Sequence, residues 1–533
     1  MFSSKAKSFV VHIKNLLIHK KQGLAEATIL ITVISILSNV IGYLREVLIA
    51  KNFGASGETD AFLVAMIIPA MLTGVIANGL NTLLVPFYVE KNEKDPGAAK
   101  SFVNQMFYLS AGLFLLISLA IFVFAPFFVK IVAPGFEGNN LDLAAEITRY
   151  LVPMGFAMVF IGFFTGIYSA QKNFLFPAAV AVVGNGVIVL SIIIFTPYFG
   201  INSWTIGQLV YSISSFFVLF GVLWHKDKLF RSFSYKSIDW NEIRRFSWLV
   251  LPLMLSSSII ILNQIADKVA GSFLKEGSIA ILNFAQRVYG IPLNLLAMPL
   301  ITAVYPTFSS LTINNDESYL AVLKKALVLS WYMLIPVSMI LIVMPEPIVK
   351  ILFERGAFTA EETRLTALSV SYYSIGLFAY ATNYFMVYLL YSLKNTKVPL
   401  IIGFVCVAVN ITGNLILSRI MGVAGIALAT AISSIIGLAL YRFSPLRRCF
   451  KKDFIGIMVR ELLRITLASA LVGALIMPLR SFLLPDIDAD MLFFRFVIII
   501  SVSLVFYLAL SRVLKLEGYG ILAEYAARTL NRR

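Results

Sequence analysis

Charge and cysteine are both scarce in this chain of 533 residues. Only 14% of its residues are Asp, Glu, Lys or Arg, whereas a soluble domain carries about a quarter. The two cysteines, Cys406 and Cys449, are far apart, which excludes a disulfide framework and a CxxC site. The three histidines, His12, His19 and His225, lie in polar segments and cannot form a metal cluster. There is no GxxxxGK[ST] loop for a nucleotide phosphate and no intramembrane Ser/His/Asp constellation for hydrolysis. The first 23 residues lack the apolar core and cleavage site of a signal peptide.

What the chain has instead is apolar length. Hydrophobic residues make up 59%, the mean hydropathy is +0.87, and runs of about 18 residues or more recur, each enough to cross a bilayer. The short alternating segments of a transmembrane β-barrel are absent. The fold class is an all-α polytopic membrane protein with about 14 transmembrane helices. Their expected limits are 27–50, 60–89, 101–133, 145–169, 177–197, 203–224, 245–271, 280–310, 322–346, 364–392, 398–418, 422–444, 455–479 and 490–513.

The net charge of +16 would suggest nucleic acid in a soluble protein. No nucleic-acid motif is present, and basic residues collect in the cytoplasmic loops of membrane proteins. With the N-terminus inside, 29 Lys and Arg fall in cytoplasmic segments and 7 in outer loops. The bias alternates loop by loop, which supports the helix count and places both termini in the cytoplasm. Eight basic residues remain within helices or at their ends.

An internal repeat runs at an offset of about 220 residues. Phe53, Gly57, Ala65 and Pro86 recur as Phe273, Gly277, Ala285 and Pro306, and Val129-Lys130-Ile131 recurs as Val349-Lys350-Ile351. Tyr168-Ser169, Lys172-Asn173 and Pro177 resemble Tyr391-Ser392, Lys394-Asn395 and Pro399. Six helices per unit, an even number, imply two six-helix lobes in parallel pseudo-twofold repeat plus two C-terminal helices. The expected divisions are a cytoplasmic segment 1–26, an N-lobe 27–224, a linker 225–244, a C-lobe 245–446, two further helices within 447–515, and a tail 516–533.

An ionisable residue deep in a bilayer is costly and usually faces a cavity or a partner. Arg45 lies after Gly42 in the first helix. A pair with the adjacent Glu46 is geometrically poor, because neighbouring helical residues point about 100° apart, so a water-lined cavity is the favoured setting. Arg287 sits two turns inside the eighth helix with no acid within four residues, so its partner is another helix or a substrate; a guanidinium suits phosphate. Asp60 is read either as a first-turn carboxylate beside a Thr59 cap or as a functional acid. Asp267, Asn410, Asn414 and Thr430 offer oxygens for a hard cation such as Na⁺, or make ordinary interhelical hydrogen bonds. Thr359 and Glu362 form a capping box.

Two stretches carry a resemblance. They are Asn39–Glu46 continuing through Ala50–Ala55 to Thr59–Phe62, and Leu352-Phe353-Glu354-Arg355-Gly356-Ala357-Phe358-Thr359. With fourteen helices, the chain resembles the MurJ/MviN family of lipid II flippases, within the multidrug/oligosaccharidyl-lipid/polysaccharide exporter superfamily. The resemblance covers roughly residues 27–515. It implies translocation of an undecaprenyl-pyrophosphate-linked peptidoglycan precursor from the inner to the outer leaflet of a bacterial plasma membrane by alternating access. It implies a central cationic cavity and a lipid-tail groove on the last two helices. Arg45, Arg287 and Asp60 match family residues, and Lys51 joins the arginines as a substrate-binding candidate. Asp267, Asn410 and Thr430 match a sodium pattern in which Asn414 replaces an expected Asp. Asn39 and Thr73-Gly74 stand where the family pattern has arginines, which makes the cavity less basic, and Gly290 stands where it has Glu.

The expected function is therefore a flippase and not an enzyme, with no cofactor and with sodium or the membrane potential as the driving force. Expected partners are the lipid-linked glycan, membrane lipids and cell-wall synthesis proteins. The alternatives are another lipid-linked glycan (an exopolysaccharide or teichoic-acid unit) and, less favoured for want of cavity acids, a multidrug or cation antiporter.

Overall fold

Lipid offers no hydrogen bonds to a bare backbone, so a chain this apolar must satisfy its amides internally, and helices do so within one segment. The computed structural model describes residues 24–72, 78–230, 239–313, 318–444, 452–483 and 489–530, which form twenty α-helices and no strand. Backbone contacts divide the chain into two units, 1–273 and 274–533. The first holds α1 (Leu24–Phe53), α2 (Gly57–Leu72), α3 (Asn78–Lys94), α4 (Pro96–Val123), α5 (Ala125–Val132), α6 (Gly138–Ala170), α7 (Leu175–Phe199), α8 (Asn202–His225) and α9 (Trp240–Ser272). The second holds α10 (Ser278–Pro292), a π-helical turn at Leu293–Ala297, α11 (Met298–Ile313), α12 (Tyr319–Val343), α13 (Pro345–Phe353), α14 (Ala360–Ile375), α15 (Leu377–Ser392), α16 (Lys397–Met421), α17 (Val423–Leu440), α18 (Lys452–Leu483), α19 (Ala489–Val513) and α20 (Glu517–Leu530).

Ten helical spans among the described residues are long and apolar enough to cross a membrane. The other four expected spans fall on α1, on α2 with α3, on α9, and on α14 with α15. The last pair breaks at Gly376, where a Cβ would stand 2.7 Å from Ala431 Cα, so this glycine lets α17 approach. Large apolar side chains such as Leu115, Leu116, Ile193, Leu504 and Val505 are exposed, as a lipid-facing surface requires.

The repeat is visible in backbone geometry. α6 and α15 both end in a turn whose closing lysine is left-handed, Lys172 at φ 59° and Lys394 at φ 57°. In each, the next asparagine N–H donates five residues back, to Tyr168 O and Leu390 O, and its side-chain oxygen accepts from Phe176 N or Val398 N. This is the Schellman closure of a helix end. Each lysine is followed by a positive-φ glycine at the far end of the next helix, Gly200 (φ 51°) or Gly422 (φ 60°). Here the offset is 222, so Tyr168 corresponds to Leu390 and the Tyr-Ser identity is one residue out of register. The predicted capping box is present: Thr359 N donates to Glu362 Oε2 (2.6 Å) and Glu362 N to Thr359 Oγ1 (3.3 Å).

The first unit is held by an aromatic core on α6. Phe160, Phe163 and Phe164 are fully buried among Phe107, Phe216 and Phe220, the last two stacked at 5.8 Å. The segment after α8 is pinned into this core: Phe230 N donates to Asn104 Oδ1 (2.8 Å), and Tyr108 OH donates to Phe230 O (2.6 Å). Next, α9 packs on the same unit, with Glu242 paired to Lys91 and Phe246 against Phe87 and Phe102. The contact boundary therefore falls after α9, at 273/274, and not within the 225–244 segment. Residues 231–238 of that segment lie outside the described residues.

Gly135 fixes this packing. Its N–H donates to Ser272 Oγ (3.0 Å), and a Cβ would stand 2.3 Å from Ser272 O. Gly135→Ala should lower stability by about 1–3 kcal/mol through overpacking, seen as a lower thermal midpoint of the detergent-solubilised protein. Gly112→Ala, whose Cβ meets nothing within 4 Å, should not lower it. An unchanged midpoint for Gly135→Ala would contradict the packing.

Candidate functional site

Arg45 lies on α1, which runs unbroken through Gly42. Its Nη2 donates to Glu46 Oε1 at 2.9 Å and its Nη1 to Asn185 Oδ1 at 3.4 Å. Asn185 in turn donates to Ser38 Oγ at 3.0 Å. The pairing that helical geometry disfavours is thus the one formed. The long arginine side chain curls back across the 100° between neighbours, and Asn185 on α7 holds it there. One residue before Asn185, Gly184 makes room for the Tyr211 ring, which occupies the place a Cβ would take. Glu46 is 2% exposed and Arg45 15%. The guanidinium is therefore largely neutralised by a buried carboxylate, while its Nε–H has no acceptor.

Lys51 is exposed in the last turn of α1, where the helix dipole favours a cation. Six residues place it about 9 Å along the axis from Arg45 and on a different face. Asp60 is 3% exposed in the first turn of α2. The cap there is Ser56, whose Oγ accepts from Thr59 N (3.3 Å); Thr59 Oγ1 donates to Gly54 O (3.0 Å) instead of capping. Ser56 precedes the first helical residue, which is the position from which a hydroxyl reaches the third amide.

In the second unit, Arg287 is exposed on α10, and its helix is held from the other side. Gln286 Nε2 donates to Tyr373 OH (3.0 Å). Tyr289 stacks on Tyr373 at 5.0 Å and 14° and meets Tyr380 edge-on at 6.4 Å. Phe284 lies between Phe353 (5.0 Å) and Phe358 (5.3 Å). The 352–359 motif therefore clamps the helix that presents Arg287. The tyrosines were not singled out from sequence. Their signal was the spacing Tyr380, Tyr384, Tyr388 on α15, a recurrence every four residues that aligns them on one helix face; the first two hydroxyls meet at 3.4 Å.

The four cation candidates divide between the units. Asp267, buried on α9, is in the first; Asn410, Asn414 and Thr430 are in the second. The latter three form a chain of hydrogen bonds: Asn414 Nδ2 donates to Asn410 Oδ1 (3.2 Å), Asn410 Nδ2 to Thr430 Oγ1 (3.0 Å), and Thr430 Oγ1 to Ile426 O (3.2 Å). This is interhelical hydrogen bonding between α16 and α17. Asn410 Oδ1 and Thr430 Oγ1 each accept one of these hydrogen bonds. Among the described residues no group of three or more His, Cys, Asp or Glu could hold a metal. Cys406 is a free thiol; Cys449 and Thr73-Gly74 lie outside the described residues.

The family profile described as Lipid II flippase MurJ matches residues 49–502. A probable lipid II flippase MurJ of Thermotoga maritima is 26% identical over 482 residues, covering 90% of this chain and 94% of its own. A lipid II flippase MurJ of Thermosipho africanus is 28% identical, covering 82% and 89%. A solved structure of lipid II flippase MurJ in an inward closed conformation superposes with a TM-score of 0.78 at 26% identity, covering 91% of this chain and 99% of that one. A multidrug resistance MATE family transporter in an inward-facing conformation shares the fold at a TM-score of 0.67 and 14% identity. The profile spans α2 through α18 and reaches into both α1 and α19, so this chain belongs to the MurJ family of lipid II flippases.

Proposed function

We propose that this protein carries lipid II, the undecaprenyl-pyrophosphate-linked peptidoglycan precursor, from the inner to the outer leaflet of a bacterial plasma membrane by alternating access. The observation that carries the reading is the family match over residues 49–502. The 29-to-7 distribution of basic residues supports cytoplasmic termini. Arg287 is the foremost candidate for the pyrophosphate. It is exposed on a membrane-length helix, and a planar guanidinium offers two parallel donors to a phosphate. Arg45 is a weaker anchor, because an incoming anion must compete with Glu46. Lys51 and Asp60 would act at the ends of α1 and α2.

For the driving force we propose the membrane potential. An anionic headgroup moving outward moves down an inside-negative potential, which supplies about 2.3 kcal/mol per net charge per 100 mV. The hydrogen-bonded chain through Asn410 and Thr430 argues against sodium at that place, as does an amide at Asn414. Replacing external and internal sodium by choline should therefore leave flipping unchanged, and collapsing the potential should stop it. A flux that falls with sodium at constant potential would overturn this choice.

Arg287→Ala should reduce lipid II reaching the outer leaflet by about tenfold or more, since hydrogen bonds to charged groups contribute about 1.5–3 kcal/mol. Arg287→Lys should recover part of the loss by restoring the charge. Unimpaired growth and unchanged precursor flipping in an Arg287→Ala strain that depends on this gene would refute the role. For Arg45, removing one partner strands a buried charge. Arg45→Gln should lower the thermal midpoint, and adding Glu46→Gln should bring it back. A double variant no more stable than the single one would show that the pair is not what holds Glu46.

A further inference from the structure

Two of the eight basic residues that loop placement leaves unexplained lie on α18. This helix has 32 residues and a length of about 48 Å, well beyond the ~30 Å hydrocarbon layer. Its stretch without charge, 465–479, is bracketed by Arg464 and Arg480. Arginines at both ends of such a stretch reach toward the headgroups, so the turns preceding Arg464 lie at headgroup level. Arg480 is tied to the protein: Nη1 donates to Val343 O (2.8 Å) and Nη2 to Glu346 Oε2 (3.2 Å). The other end differs. Arg460 is exposed and has no protein partner among the described residues. Arg464 is 37% exposed and, among the described residues, pairs with Glu461 at 3.7 Å.

Gly456, Val459, Arg460, Leu463, Arg464 and Leu467 line a shallow groove of about 500 Å³. Their spacing places them on one helix face. The opposite face, including Met458, Glu461, Ile465 and Ala468, is buried. Two like charges four residues apart repel each other, and the nearby Glu461 offsets only one of them, leaving a net positive turn. Immediately beyond, Leu463 and Leu467 are 63% and 55% exposed. The groove is thus lined mainly by apolar groups, with Arg460 and Arg464 on the same helix face as Leu463 and Leu467.

We propose that this face of α18 is a binding site for an anionic phospholipid, with the phosphodiester between Arg460 and Arg464 and the start of an acyl chain along Leu463 and Leu467. Charge complementarity selects this occupant: an uncharged isoprenoid tail has nothing for the two guanidinium groups, and a zwitterionic lipid brings its own cation to the same place. On the orientation proposed above, the site belongs to the cytoplasmic leaflet. It is separate from the pyrophosphate contact assigned to Arg287, and it rests on the flippase reading only for that orientation.

The test is native mass spectrometry of the full-length protein with phosphatidylglycerol, phosphatidylcholine and lipid II as probes. The wild type should retain phosphatidylglycerol over phosphatidylcholine. Arg460→Gln, which breaks no protein contact, should cut that preference about fivefold, the effect of one basic residue near an anionic surface. The triple variant Arg460→Gln/Glu461→Gln/Arg464→Gln, which strands no buried carboxylate, should abolish it. Arg460→Lys should keep most of it, and lipid II binding should be unchanged throughout. Equal retention of both phospholipids by the wild type, or undiminished preference in the triple variant, would overturn the site. Loss of lipid II together with phosphatidylglycerol would assign the groove to the substrate and overturn it too. A wild type that binds phosphatidylglycerol at this groove but no lipid II would leave the site standing and count against the flippase reading.

Discussion

Lipid supplies no hydrogen bonds and poorly solvates charge, and the rest of the structure follows from how the chain meets those two deficits. Hydroxyls inside helices are satisfied locally: Thr148, Ser374, Ser469 and Ser503 each donate to the carbonyl four residues back. Helix ends need another solution, because their last carbonyls have no partner within the helix. The closures after α6, α15 and α19 use the same device, a lysine in the left-handed region at Lys172, Lys394 and Lys515. Glycine is the usual residue there, but a lysine sets positive charge beside the negative end of the helix. One side chain closes the turn and adds a basic residue to the loop.

The arginines meet the second deficit in three ways. Arg45 is neutralised in place by Glu46 and braced by Asn185, which stabilises the charge but limits what it can offer an anion. Arg287 is exposed, on a helix steadied by the stacking of Tyr289 on Tyr373. Arg460 and Arg464 stand at headgroup level, where a lipid phosphate can do what Glu46 does for Arg45.

Fold class was legible because apolar length and basic-residue placement are properties of long segments, which survive errors of a few residues at each boundary. The repeat was legible in Lys172-Asn173 and Lys394-Asn395, where turn chemistry is local. The fate of Arg45 was not. The 100° between neighbours keeps apart only side chains that project normal to the helix, and a long flexible arginine steadied by Asn185 on α7 curls across it. The grouping of α9 was equally hidden, because Gly135, Phe246 and Lys91 meet it only in three dimensions. Asn410, Asn414 and Thr430 join one hydrogen-bonded chain, a partnership that residue type alone does not specify.

The 352–359 motif holds the helix that carries Arg287, the residue proposed above for the charged headgroup. Phe353 and Phe358 hold Phe284, and Tyr373 holds both Gln286 and Tyr289. Aromatic pairs contribute about 0.5–1.5 kcal/mol each beyond the area they bury, so these contacts fix one turn on either side of Arg287. A guanidinium on a fixed backbone loses less freedom on binding than one on a mobile helix, and that lower ordering cost appears as affinity. The 352–359 motif thus acts on the helix that carries Arg287, through Phe353 and Phe358 against Phe284.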